Sequence, residues 1–258
     1  MIKKLKRRLC LFSFLLIFFL SPGIVLNVGA IKYKTGVKGN DELIWKCKVC
    51  DEDELNLIFG TGWDNSGIFQ NLSKGKMMKW VINSVDLNDT IIKIEFSVWF
   101  WTDNTTWGIK DNDSQIIFLT DPSSYAEEVN FSEYTSFTPF WFPIPVGEYM
   151  GGLNLNEWYD VDNRVLPTLN VDIPKDGIFS GYPNKSIKII AIYNDQGILN
   201  SYKLYTKGNV VIIDIALDFL PFYVIPTLII LFTTLSLGVI IYIIWKYKSN
   251  RPLSSNLK

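Results

Sequence analysis

Hydrophobic and polar residues alternate along several short segments in the middle of the chain. In residues 91–101, every second residue from Ile92 to Val98 is apolar, as in an antiparallel strand with one buried face. Eight or nine strands with few helices predict a mainly β fold, built as an antiparallel sandwich or as an open barrel or curved sheet. The other strands, bounded by turn-forming residues, are predicted at 42–50, 76–85, 115–120, 166–173, 185–193, 198–205 and 210–217.

Helical signals in the same region are short. Residues 51–59 begin with acidic side chains, which favour a helix N-terminus, and are followed by Gly60, which favours a helix end. Residues 146–158 allow one or two helical turns, and residues 122–134 fit a helix or a loop equally well. Helices are therefore expected to be accessories to the sheet.

The first 30 residues have the pattern of a secretory signal peptide. Five basic residues precede an apolar segment from Leu9 to Leu20, and Pro22 and Gly23 then break the helix. Small residues at Val28 and Ala30 fit a cleavage site before Ile31. An uncleaved anchor is the alternative, but the apolar segment is short for a bilayer, which needs about 20 residues.

A second apolar segment predicts a membrane anchor near the C-terminus. Residues 219–245 contain 27 residues without a charge, enough to cross a hydrocarbon core of about 30 Å. Acidic residues precede the segment and basic residues follow it, so the tail, residues 246–258, is expected in the cytoplasm. The prediction is a single-pass type I protein of the cell membrane, with residues 31–218 outside the cell. A buried core helix is disfavoured by the length and by the unequal flanks.

The region between the two apolar segments is acidic. The whole chain has 25 basic and 26 acidic residues, but residues 31–218 hold all the acidic residues and only 16 basic ones, a net charge of −10. Because nucleic-acid binding needs a basic surface, nucleic acid is not expected as a partner. The expected partners are the membrane, through the C-terminal helix, and a surface protein, a glycan or an apolar ligand.

Glycosylation signals fall in the same acidic region. Six Asn-x-Ser/Thr sequences lie between the leader and the predicted anchor, as expected of an exported glycoprotein. The candidate acceptors are Asn71, Asn88, Asn104, Asn112, Asn130 and Asn184.

The chain contains no histidine, and this excludes several classes of enzyme. Ser-His-Asp and Cys-His nucleophile systems need histidine, as do His-ligated zinc and iron sites. No segment matches a complete calcium-binding loop. We therefore predict no catalytic residues, no metal and no cofactor. An enzyme of this composition would be a hydrolase that uses paired carboxylates or a Ser–Lys pair.

Cys47 and Cys50 are the two cysteines outside the leader. Their neighbours predict a strand, in which the two Cα atoms would lie about 10 Å apart on opposite faces, whereas a disulfide needs less than about 7 Å. No second C-x-x-C and no histidine complete a metal site. The pattern favours two small apolar side chains near a strand end. A redox role, an internal disulfide if the chain turns here, and an intermolecular bridge are the alternatives.

Aromatic residues supply the candidate ligand-binding surface, because exposed rings stack on sugars or line apolar pockets. The Phe-Trp-Phe run at 140–142 is expected to be exposed, since nearby prolines prevent strand pairing. Alternation predicts that Trp99 and Trp101 share a face opposite Phe100, and because one of these faces must be core, core packing is favoured over a ligand surface. The candidates are Trp99, Trp101, Trp107, Phe140, Trp141 and Phe142.

Two parts of the chain resemble a group of archaeal surface proteins. Residues 36–46, with the acidic run 51–53, are similar to the entry strand of these proteins, and residues 193–203 are similar to a closing segment. The group combines a secretion signal, one β-rich ectodomain and a C-terminal membrane anchor. The resemblance implies this topology and a β fold, and it brings no catalytic residues. Cys47 and Cys50 fall where such strands usually carry aliphatic or polar residues.

Together these patterns predict a membrane-anchored cell-surface protein. Its outer domain is expected to be non-catalytic, and to bind a ligand or partner or to contribute to the envelope. One alternative is a carrier that holds an apolar or glycan ligand in an aromatic-lined pocket, which predicts a large cavity. The other is an envelope hydrolase, which predicts two converging carboxyl groups, at least one with a raised pKa.

Overall fold

The computed structural model describes the central domain and a helix that follows it. The predicted signal peptide at residues 1–30, the last residues of the tail and the sequon asparagine Asn104 lie outside the described residues. The described residues are 33–103, 106–178, 180–206, 208–218 and 224–249.

The domain is built on nine antiparallel β-strands. They are β1 (Glu42–Cys50), β2 (Met77–Leu87), β3 (Ile91–Thr102), β4 (Asn112–Leu119), β5 (Tyr159–Asp162), β6 (Thr168–Ile173), β7 (Ile187–Tyr193), β8 (Leu199–Thr206) and β9 (Val210–Leu217). The predicted mainly β, antiparallel fold is confirmed, and of the described strands only the four-residue β5 was not predicted. A sandwich would need a second sheet, and all described strands belong to one sheet.

The sheet consists of two meanders joined at its centre. Its strand order is β4-β3-β2-β1-β9-β8-β7-β6-β5, so strands within each half are neighbours in sequence. The two halves meet where β1 pairs with β9, for example at Trp45 opposite Leu217. This long-range pairing puts β1, the first strand in the sequence, between β2 and β9 in the middle of the sheet.

Helices in the described residues are few. They are α1 (Glu52–Phe59), α2 (Val146–Gly152) and α3 (Val224–Ser249), with short 3₁₀ turns at Gly67–Phe69 and Pro122–Ser124. The helix predicted at 51–59 is confirmed. Asp51 caps it, accepting a hydrogen bond from the Glu54 backbone N–H at 3.1 Å, and Leu55 and Ile58 on its apolar side are buried in the core.

The third helix, α3, begins at Val224 and ends at Ser249. Its side chains are described at residues 230–242 and at Lys246, and all of these are exposed. Among the described residues, no helix combines the length and the apolar character that crossing a membrane requires.

One face of the sheet is covered by the segments that connect the strands. Part of this cover is residues 131–142, which we call the strap. Two buried tyrosines hold it to the sheet, because Tyr193 Oη donates to the Pro139 carbonyl at 2.7 Å and Tyr202 Oη donates to the Ser136 carbonyl at 3.2 Å. The strap therefore forms part of the hydrophobic core.

Buried tyrosines should make the fold sensitive to alkaline pH. Burial raises the pKa of Tyr149, Tyr159, Tyr193 and Tyr202 above the usual value of 10.0. A raised pKa favours the neutral phenol in the folded state, so this stabilisation is complete below about pH 10 and is lost as the pH rises further. We expect the domain to unfold above that pH.

The expectation can be checked by recording tyrosinate absorbance and far-ultraviolet circular dichroism in one alkaline titration. Phenolate signal from the four buried tyrosines should appear only as the strand signal disappears. Ionisation of all 12 tyrosines with an unchanged strand signal would contradict the burial of these groups.

Candidate functional site: an aromatic cavity beside the strap

A cavity of about 490 Å³ lies between the sheet and the strap. Its inner wall includes the buried side chains of Trp80, Phe96 and Phe140, while exposed polar residues such as Asp111 and Glu133 form its rim. Because the inner wall is buried and the rim is exposed, the cavity opens to solvent on the rim side. Its volume falls in the range of small-molecule sites, roughly 300–1,000 Å³.

Strand alternation positions the aromatic wall. Trp80 on β2 and Phe96 on β3 point to the covered face, and their rings stack with centroids 4.0 Å apart at 21°. Phe140 from the strap comes to 5.8 Å from Trp80 and to 5.3 Å from Trp45. Such ring contacts stabilise the wall by about 0.5–1.5 kcal/mol per pair beyond burial, so the wall is preorganised.

Two buried polar groups at the cavity have no partner among the described residues. Trp80 is 2% exposed, and its Nε1–H donates no hydrogen bond there. Thr138 Oγ1 is also unpaired, although it lies near enough to Tyr193 to offset part of the pKa rise that burial causes in that tyrosine. An unsatisfied buried group costs about 1–3 kcal/mol, and this cost falls on the folded state, because both atoms are shielded from solvent.

The other tryptophans of the core differ from Trp80. Trp45 Nε1 donates to the Leu199 carbonyl at 2.8 Å, and Trp101 Nε1 donates to the Ile68 carbonyl at 2.7 Å. Trp141 Nε1 has no partner among the described residues, but Trp141 is not part of the cavity wall. Unpaired indole N–H groups therefore occur both at the cavity wall and away from it, at Trp80 and at Trp141.

The rim of the cavity is acidic. Asp111 and Glu133 lie on it, and the described lining residues include no lysine and no arginine. Asp111 is held in place because its Oδ2 accepts the Phe100 backbone N–H at 2.8 Å. This charge pattern disfavours anions and favours neutral or cationic groups at the opening.

Carboxyl groups with shifted pKa values give no support to a hydrolase. Each shifted carboxyl among the described residues has a lowered pKa, caused mainly by a hydrogen bond from a neighbouring side chain. The bond from Arg164 lowers the pKa of Asp162 to about 2, and the others are Glu95, Asp113 and Asp121. A catalytic acid needs the opposite shift, so the hydrolase stays a prediction without an identified site.

The predicted exposure of the Phe-Trp-Phe run is wrong. Phe140 is 2% exposed, and Trp141 and Phe142 are completely buried. Pro139 and Pro143 flank the run but lie outside its paired positions: Trp141 forms a β-bridge with Ile198, and the Phe142 N–H donates to the Gly197 carbonyl at 2.8 Å. Of these three candidates only Phe140 lines the cavity, and a ligand role for Trp141 and Phe142 stays a prediction.

The prediction that Trp99 and Trp101 share a face is also wrong. Between the pairs Met77–Thr102 and Lys79–Trp99 the register shifts, so Phe100 and Trp101 together stand opposite one residue of β2. Such a β-bulge reverses the alternation beyond it. Trp101 is consequently buried on the covered side, where its Nε1 reaches the Ile68 carbonyl.

Trp99 and Trp107 lie together on the opposite side of the sheet. The Nζ of Lys79 stands 4.2 Å from the ring centroid of Trp99 and 5.2 Å from that of Trp107. These are cation–π distances, and they account for both half-buried rings by packing. Neither residue lines the cavity, so their proposed ligand contact stays a prediction.

The two cysteines do not lie as predicted. Both are free, Cys47 buried and Cys50 half-buried. A β-bulge between Cys47 and Val49 shifts the register of β1 against β9, and the neighbouring Cys50 thiol contributes to the raised pKa of Cys47. The prediction of opposite faces is therefore wrong, and its premise, an ideal strand, fails at the bulge.

In the sequons that lie within the described residues, the acceptor asparagine has an exposed side chain. Glycan attachment requires exposure, and whether these sites are used stays a prediction. The exposed acceptors are Asn71, Asn88, Asn112, Asn130 and Asn184.

Sequence analysis did not predict the cavity, because the residues that line it come from distant segments of the chain. Phe96 was predicted only as part of the alternating face of its strand, and neither Trp80 nor Thr138 was singled out, although all three line the cavity. Comparison with models of known families, with curated proteins and with solved structures finds no match for this chain. The function of the site therefore has to be inferred from its own residues.

Proposed function

We propose that this protein is a membrane-anchored cell-surface protein whose outer domain binds a small ligand in the aromatic cavity. The observation that carries the proposal is the 490 Å³ cavity itself, whose inner wall includes the stacked rings of Trp80 and Phe96 together with Phe140. Concave cavities of this volume, with an aromatic wall and a few polar groups at the opening, are the usual form of small-molecule sites. This favours the carrier alternative over a purely structural domain.

The ligand should be a neutral or cationic molecule with an aromatic or sugar ring. The ring would pack against the aromatic wall formed by Trp80, Phe96 and Phe140. Asp111 and Glu133 on the rim, with no basic residue among the described lining residues, disfavour an anion. A sugar ring and an uncharged aromatic ring both fit this description.

We infer that the sheet curls around this core as an open barrel. Phe118 on β4 contacts Phe142 at 5.1 Å between centroids, and Phe142 contacts Tyr193 on β7 at 5.0 Å. In a flat sheet, six strand spacings of about 4.8 Å would separate β4 from β7, roughly 29 Å. Two short ring contacts across that span require strong curvature, which gives the cavity its concave wall.

The membrane anchor rests on the apolar segment 219–245 and on the flanking charges. Helix α3 spans Val224–Ser249, and its described apolar side chains are exposed, including Ile230, Phe232 and Ile241. Large exposed apolar surfaces are typical of protein–protein or membrane contacts. With Asp218 before the segment and Lys246 after it, the positive-inside rule favours an outer domain and a cytoplasmic tail.

Saturation-transfer NMR on the full-length chain in lipid nanodiscs would test the proposed ligand class. Benzyl alcohol, benzyltrimethylammonium and benzoate share one ring and differ in charge. We expect transfer to the alcohol and the cation and none to benzoate, since the acidic rim repels an anion. The Ser114→Trp variant should abolish the transfer, because Ser114 is an exposed residue of the cavity rim.

Ile117→Trp is the matched control. Ile117 is 45% exposed on the same strand and does not line the cavity, so its variant should bind like the native chain. Equal transfer to the three probes in all proteins would mean partition into lipid and would overturn the proposal. Absence of transfer in the native chain would also overturn it.

A further inference from the structure

Cys47 and Cys50 face the same side of β1. Cys47 pairs directly with Ile215 of β9, and Cys50 pairs directly with Ile213. Directly opposed residues of an antiparallel pair share a face, and Ile213 and Ile215, two residues apart and both buried, share the covered face. The residue that makes this arrangement possible is Lys48, which the bulge leaves without a partner on β9.

The register also brings the two cysteines near enough for a disulfide. Residues two apart on a strand, such as Ile213 and Ile215, have Cα atoms about 6.8 Å apart, and their partners on β1 are held at a similar spacing. This lies at the upper end of the Cα separations found in disulfides, about 4.4–6.8 Å. In an unbulged strand the separation would be about 10 Å, beyond that range.

The two thiols lie close enough to affect each other's ionisation. The neighbouring Cys50 thiol is the largest cause of the raised pKa of Cys47, and burial adds to it. Cys47 Sγ also donates to the Val49 carbonyl at 3.1 Å, and Cys50 Sγ lies 4.0 Å from the Leu72 carbonyl. Each thiol thus has a carbonyl partner in the reduced state, and the shared face places the two side chains side by side across the bulge.

We infer that Cys47 and Cys50 form a modification site that closes to an intrastrand disulfide on reaction with a small-molecule disulfide. The site is separate from the aromatic cavity, whose described lining contains no cysteine. It is independent of the proposed ligand binding.

The half-buried Cys50 is the thiol that an external reagent meets first, because Cys47 is completely buried. The Cys50 thiolate attacks one sulfur of the reagent RSSR, forms a mixed disulfide and releases RS⁻, which takes up a proton as RSH. Cys47 then loses its proton and attacks Cys50 Sγ, releasing the second RSH. Two protein thiols are oxidised to one disulfide, and one RSSR is reduced to two RSH.

Formation of the Cys47–Cys50 disulfide would restrict backbone motion at the bulge of β1, in the centre of the sheet. Cys47 is tied to the neighbouring connection by two backbone hydrogen bonds, from its N–H to the Lys76 carbonyl at 2.9 Å and from the Gly75 N–H to its carbonyl at 2.8 Å. A disulfide would link this position covalently to the end of β1. The oxidised chain should therefore hold the bulge more rigidly than the reduced chain.

The test uses the full-length chain with Cys10→Ser, so that only two of the three cysteines remain. The protein is equilibrated with mixtures of reduced and oxidised glutathione, denatured with N-ethylmaleimide present, and weighed intact. We expect a product without maleimide adducts, lighter by two hydrogen atoms than the reduced protein. In the folded chain it should form at a ratio of oxidised to reduced glutathione at least about tenfold lower than in guanidinium-denatured chain.

The matched control moves the second thiol by one residue. Val49→Cys combined with Cys50→Ser keeps two thiols, but position 49 pairs with Asp214 and faces the opposite side. This protein should show two adducts, maleimide or glutathione, and no closure in the folded state. The inference is overturned if the native pair takes two adducts at every glutathione ratio, or if it closes equally well folded and denatured.

Discussion

The Gly197→Ala variant is expected to lose about 3–4 kcal/mol of unfolding free energy. Gly197 has φ +82°, where a Cβ is strained, and the added Cβ would overlap the Phe142 carbonyl oxygen. The Gly197 carbonyl also accepts the Phe142 N–H. The strap would have to move away from the β7–β8 turn, and the buried rings at 140–142 would move with it. Urea unfolding followed by circular dichroism measures the loss.

Gly208→Ala separates backbone strain from the clash. Gly208 has φ +89°, and a Cβ there would meet nothing within 4 Å. This variant should lose only about 1–2 kcal/mol, the strain of a left-handed non-glycine residue. Equal losses in the two variants would mean that the close approach of the strap to Gly197 does not exist.

Phe142→Ala is expected to lose about 3–5 kcal/mol of unfolding free energy, the usual range for removing a buried phenylalanine ring. Phe142 is 0% exposed, and its ring contacts Phe118, Phe131 and Tyr193 at 5.1, 5.6 and 5.0 Å between centroids. Removal would open a cavity between β4, the strap and β7. The same urea unfolding experiment measures the loss as a shift in the urea concentration at the unfolding midpoint.

Ile109→Ala is the control for this substitution, since Ile109 is 92% exposed. Its unfolding free energy should stay within about 0.5 kcal/mol of the native value. If Phe142→Ala had an equally small effect, the ring would be a surface ring, as the sequence alone predicted.

Local patterns were enough to predict most of the sheet. β1 was predicted with the bounds that it has, Glu42–Cys50, because its apolar residues alternate and a turn precedes it. The helix at 51–59 followed from its acidic start and the glycine at its end, and differs by one residue from α1. These signals lie within a few residues of each other, so a single sequence contains them.

The predictions of which face of the sheet a side chain occupies failed at β-bulges. Alternation with a period of two assigned Trp101 to the face of Trp99 and Cys50 to the face opposite Cys47, and one extra residue in each strand reversed both assignments. Whether a strand bulges depends on its partner strand. The partner of Cys47 is β9, which lies more than 160 residues away in the chain, so nearby residues carry no signal for it.

The burial of the strap residues 140–142 was not predicted, for a related reason. Prolines near residues 140–142 argued for an exposed loop, but pairing with Gly197 and Ile198 and the bond from Tyr193 to Pro139 bury the run. The cavity beside it joins β2, β3 and the strap, so neither its volume nor the unpaired Trp80 Nε1 can be derived from local sequence.

Native mass spectrometry of the full-length protein, released gently from the membrane in which it was made, tests the central claim most directly. We predict an extra mass on the native chain that leaves on denaturation and is absent from Ser114→Trp, whose side chain fills the cavity rim. The bound molecule that accounts for this mass should be neutral or cationic. A native chain that carries no more bound mass than the Ser114→Trp variant would contradict ligand binding in the aromatic cavity.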